Sequence, residues 1–102
     1  MDRALRAAFL KKDLEKAIRE STDHYIEGKE KITYRVFEFD KVEGNFKFVL
    51  WPSTTDIEIA YVRPEMGYSD TGITIGSFDR DCFSMDQIVE LTMILVDTYK
   101  GN

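Results

Sequence analysis

His24 is the only histidine and Cys82 the only cysteine of this 102-residue chain. Any nucleophile–base couple would draw on these two or on the serines, and nothing beside either residue marks such a couple. Cys82 stands between Asp81 and Phe83, where a neighbouring carboxylate raises a thiol's pKa and opposes thiolate formation. It reads as a structural cysteine, and His24 as a surface loop residue. No Gly-x-Ser-x-Gly elbow occurs, and one His with one Cys cannot supply the usual nitrogen and sulfur ligands of zinc. Asp79 and Asp81 are spaced like the start of a calcium loop, but the glycine and terminal bidentate glutamate of an EF-hand are missing. Gly72-Ile73-Thr74-Ile75-Gly76 alternates like a strand and lacks the Lys-Ser/Thr sequel of a phosphate loop, so Gly76 marks a bulge or a close backbone approach. Glu38 and Glu58 could face one another across strands, the raw material of acid–base work; without a pocket they read as solvated carboxylates. Lys29, Lys31, Tyr34 and Arg35 come nearest to a basic-aromatic nucleic-acid surface, and their acidic surroundings oppose it. The expectation is a non-enzyme without cofactor or metal.

The stretch Lys31–Phe78 must position whatever surface does the work. Its residues alternate with the period of two that sends strand side chains to opposite faces: Phe46, Phe48 and Leu50, then Ile57, Ile59 and Tyr61, then Ile73 and Ile75. Turn-forming residues separate the runs, namely Glu43-Gly44-Asn45, Pro52 through Asp56 and Pro64 through Asp70. No gap holds a crossover helix, so the pairing must be antiparallel. In the first strand, Ile32, Tyr34 and Val36 share one parity while Phe37 and Phe39 share the other. That switch predicts a bulge or bend near Val36-Phe37, or burial on both faces. The opposite face carries Val49, Trp51, Ala60, Val62 and Thr74 among Glu38, Lys47 and Glu58. An apolar cluster containing a Trp points to a covered or binding surface.

Helices bracket this meander. From residue 2 to about 20, Ala7, Leu10, Leu14, Ala17 and Ile18 fall within one arc opposite Lys12, Lys16 and Arg19. Leu5 and Phe9 form a pair one turn apart, off that stripe. The polar segment Glu20–Glu30, with Gly28, reads as a helix end and linker. Ser84 and Gln87 fit a capping box, with Asp86 in the first turn and Gly101 as the stop. Between them Met85, Ile88, Val89, Leu91, Met93, Leu95, Val96 and Tyr99 cover about half the helix, more than one contact surface needs. Burial against both the sheet and a further helix, of this chain or a second subunit, follows. The predicted fold is α+β, a four-stranded antiparallel meander flanked by an N-terminal and a C-terminal helix (α-β-β-β-β-α), with residues 1–102 as one domain.

Charge narrows the function classes. The chain carries 14 Lys and Arg against 19 Asp and Glu, a net charge of -5. Residues 1–35 hold nine basic against seven acidic groups, whereas residues 36–102 hold five against twelve. An acidic sheet and last helix disfavour direct nucleic-acid and membrane binding and suit a basic protein surface. No apolar run is long enough to span a bilayer, the first residues lack a secretory core, and a lone cysteine fits a reducing compartment, so a cytoplasmic protein is expected. In size and charge the chain looks like inhibitors encoded by mobile elements and toxin-neutralising immunity proteins, including those that imitate nucleic-acid charge. The reading is therefore a non-catalytic acidic interaction module binding through Glu38, Trp51, Glu58, Tyr68, Asp70, Asp79 and Asp81. The alternative is a homodimeric scaffold resembling secretion chaperones, joined through the last helix and the Leu5/Phe9 pair. A small enzyme or ligand-binding domain ranks below both.

Overall fold

A computed structural model of the protein describes residues 2–28, 32–36, 46–51, 53–62 and 72–101, with the backbone alone for 32–36. Helix α1 spans Arg3–Ile26 and α2 spans Met85–Lys100; between them lie strands β1 (Ile32–Val36), β2 (Phe46–Leu50), β3 (Asp56–Tyr61) and β4 (Ile73–Asp79). The strands pair antiparallel in sequential order. The α+β class and the antiparallel sheet between two helices agree with the sequence.

Alternation decides which sheet face meets the helices. Phe46, Phe48 and Leu50 of β2 and Ile57 and Ile59 of β3 join Leu10, Leu14 and Ala17 of α1 and Ile88, Val89, Met93 and Val96 of α2 in one apolar core. Both helices therefore lie on the same face, and flank the sheet in sequence only. α1 contacts β1 and β2, while α2 contacts β4 and α1. The wide stripe of α2 is accounted for by the sheet and α1 together. An aromatic cluster closes one end of this core: Tyr61 stacks 4.7 Å from Tyr99, and Phe46 meets their rings at 5.4 and 6.0 Å.

Three sequence expectations need correction. First, α1 continues through Ile26, so Glu20–Ile26 is helix and His24 is a half-buried residue of its last turn rather than part of a loop. The segment is polar, but it holds no glycine or proline before Gly28, whose φ of 78° ends the helix. Second, strand β4 does not alternate throughout. Ile59 faces Gly76 but Ala60 faces Thr74, which leaves Ile75 as an extra residue. This bulge turns Gly76 and Phe78 toward the helices and leaves Ile73 45% exposed, with Ile75 only partly packed on the core. Third, Lys47 is buried rather than part of a charged surface. The expected switch at Phe37 and Phe39 lies outside the described residues.

Gly76 has a packing reason too. A methyl group at its Cβ position would overlap Leu95 Cδ1, so the missing side chain lets α2 settle onto the backbone of β4. The start of α2 is capped as its sequence implies: Ser84 Oγ accepts from the Gln87 amide at 3.2 Å, and Gln87 Oε1 accepts from the Ser84 amide at 2.8 Å.

Candidate functional site

The face turned away from the helices divides into two parts. Lys47, Val49, Ala60 and Val62 are all buried there, outside the core that the helices cover. Toward the β2–β3 hairpin the same face is open. Trp51, 36% exposed, follows β2 and donates from Nε1 to Glu58 Oε2 at 3.0 Å. In register, Glu58 pairs with Ser77 and Asp56 with Asp79, so strand parity puts Asp56, Glu58, Ser77 and Asp79 on this face. The indole is tethered by a carboxylate, on the face that carries two further acids. Asp56 was not among the residues singled out from sequence; its place two residues before Glu58 is the signal that would have found it.

Asp79 has a second task. Its Oδ1 accepts from the Asp81 amide at 2.9 Å and from Thr55 Oγ1 at 2.8 Å, while its carbonyl accepts from the Cys82 and Phe83 amides. The Asp81 amide, then the Thr55 hydroxyl, hold its carboxyl below the usual carboxylate range. Arg80 completes the junction, its amide donating to Thr55 O at 3.0 Å and its guanidinium to Thr54 O at 3.2 Å. The β4–α2 turn is thus tied to the β2–β3 hairpin. Asp81 projects from this turn as an exposed side chain, next to the exposed Cys82.

Of the seven residues chosen from sequence, the structure brings Trp51 and Glu58 into contact and holds Asp79 and Asp81 in one turn. Glu38, Tyr68 and Asp70 lie outside the described residues, as does the loop Pro64–Thr71. Among the described residues no three His, Cys, Asp or Glu side chains converge as metal ligands, and no helix is long and apolar enough to cross a membrane.

The acidic charge of α2 is not wholly available to a partner. Asp97 receives a bidentate pair from Arg6, at 2.7 and 3.0 Å, Glu90 pairs with Arg3, and Asp86 pairs with Lys11 at 2.9 Å. The Arg6 hydrogen bonds hold the Asp97 carboxyl below its ordinary range, and the Asp86 hydrogen bond raises the Lys11 ammonium above its own. The basic excess of the first helix is spent on the polar side of the last. Among the described residues of the sheet and the β4–α2 turn, Asp56, Glu58, Asp79 and Asp81 gather at the hairpin end.

No family model, curated protein or solved structure matches this chain.

Proposed function

We propose that the chain is a non-catalytic acidic interaction module, of inhibitor or immunity type, built on the α-β-β-β-β-α meander. Its open hairpin end engages a basic surface on another protein. The observation that supports this reading best is the pair of Trp51 and Glu58, an exposed indole braced by a carboxylate on the face that also carries Asp56 and Asp79. An aromatic anchor ringed by charge suits a partner rich in Arg, whose guanidinium groups stack on indoles and donate paired hydrogen bonds to carboxylates. Asp81 extends the acidic rim, and Glu38, Tyr68 and Asp70 are assigned to the same partner on their sequence pattern alone.

The test is capture of partners from native extract on immobilised protein, at low and then high salt, comparing wild type with Glu58→Lys and Trp51→Ala. A basic protein that is retained at low salt, elutes as salt rises and is lost with either substitution supports the reading. Retention unchanged by both substitutions would remove the hairpin end from consideration.

A further inference from the structure

We propose that the partner binds as an extended segment added to the open edge of β4, with Lys or Arg on its outer side and apolar side chains toward the helices. This inference rests on the reading of the hairpin end as the partner surface and specifies how the partner meets it. Among the described residues β4 has a neighbouring strand on one side only. The Arg80 amide donates to Thr55 O, and backbone groups alternate between the two sides of an antiparallel strand. The N–H and C=O of Ser77 and the N–H of Asp79 therefore point to the open side, while the Asp79 carbonyl is taken by the Cys82 and Phe83 amides. The bulge falls at Ile75, and residues 76–79 stay in regular register with 56–59. Ser77 is exposed, and β4 holds neither the Lys nor the Pro that blunts an open edge.

The two sides of this edge select the chemistry of the segment. On the outer side, Asp79 lies next to the added strand, and Asp56 and Glu58 lie one strand further in. A strand spacing of about 4.8 Å places those two about 10 Å from the added backbone, a span that a Lys or Arg side chain and a facing carboxylate close together. Arg80 is the cation beside them, its guanidinium held on the Thr54 carbonyl. On the helix side, Ile75 and Leu95 are only partly buried and Phe83 is 38% exposed, so an apolar side chain there extends the core. Strand alternation delivers both from one segment, each residue for the acids followed by one for the apolar side. A second copy of β4 does not fit this edge. It has no Lys or Arg to face the acids and would bring its own Asp79 toward them.

The probe is a synthetic peptide of alternating Arg and Val, four of each with blocked ends, titrated into the full chain. Fluorescence of Trp51, the single Trp of the chain, gives its affinity, and amide hydrogen exchange followed by NMR gives its position. Binding should slow exchange at Ser77 by about tenfold or more, since that amide gains a partner strand. A peptide of equal composition with the four Arg followed by the four Val should bind about tenfold more weakly, because it cannot present the two chemistries to opposite sides. Glu58→Lys should weaken the alternating peptide to a similar degree. Binding that leaves Ser77 exchange unchanged would overturn strand addition while keeping the hairpin end as the partner surface. Equal affinity for the two peptides, or no binding of the alternating one, would overturn it as well. Slowed exchange at Ser77 with an affinity indifferent to Glu58→Lys would overturn the basic side of the segment, and the acidic reading of the hairpin end with it.

Discussion

The Arg6–Asp97 pair should be the strongest polar tie between the two helices. Arg6 is 8% exposed, and its side chain reaches Asp97 through two bonds at 2.7 and 3.0 Å, whereas the Asp97 side chain is 48% exposed. With charge centres about 4 Å apart and an effective dielectric near 20, the gross attraction is about 4 kcal/mol. Solvent screening at the half-exposed carboxylate and desolvation of the guanidinium offset more than half of it, leaving a net coupling of about 1.5 kcal/mol. The cycle should use Arg6→Met, which keeps the alkyl stem against the core, and Asp97→Asn, which removes the charge at constant shape. Urea unfolding followed by circular dichroism should give that coupling, and Asp97→Asn alone should lower Tm by roughly 6–12 °C at this chain size. Asp97 has its carboxyl pKa lowered by folding from an ordinary 3.8. Its contribution is therefore fully present above that value and is lost as pH falls through the lower folded value. The Asp97→Asn penalty should accordingly shrink on acidification below about pH 4. A coupling under about 0.3 kcal/mol, or a penalty independent of pH, would refute the reasoning.

Three further outcomes follow from the same geometry. Gly76→Ala should cost roughly 1–3 kcal/mol because its methyl meets Leu95, and much less in a Leu95→Ala background, where the obstacle is gone; equal costs in both would place the strain elsewhere. Asp79→Ala should lower Tm, because it removes the acceptor shared by Thr55 and the Asp81 amide, whereas Asp81→Ala should leave Tm unchanged. The reverse order in thermal melts would contradict the assignment of Asp79 to the junction. Ser84→Ala should cost about 1 kcal/mol in chemical denaturation through loss of one half of the capping box; a neutral result would mean that the sheet and α1 alone hold the start of α2.

Local signals carried what the chain alone determined. Period-two runs placed Phe46, Phe48, Leu50, Ile57 and Ile59 on one face because backbone geometry dictates that alternation wherever a strand forms. The Ser84/Gln87 box and the Leu10/Leu14/Ala17 arc were legible for the same reason, since each needs only residues within a turn or two. Half of the proposed surface could be seen this way, in Trp51 and Glu58 as members of the second face. That they touch, and that Asp56 and Asp79 stand opposite each other beside them, depended on hairpin register, which pairs positions far apart in sequence. The bulge was legible only in part: Gly76 read as a bulge or a close backbone approach, but that Ile75 is the extra residue and that Phe78 turns inward depended on the pairing with β3, and the close approach of Leu95 to Gly76 on residues far along the chain. The charges show the division most plainly. Composition divided the chain into a basic first third and an acidic remainder, but only tertiary structure decided that Arg3, Arg6 and Lys11 would neutralise Glu90, Asp97 and Asp86. Ion pairing acts over a few ångströms of space, and sequence distance carries no information about it.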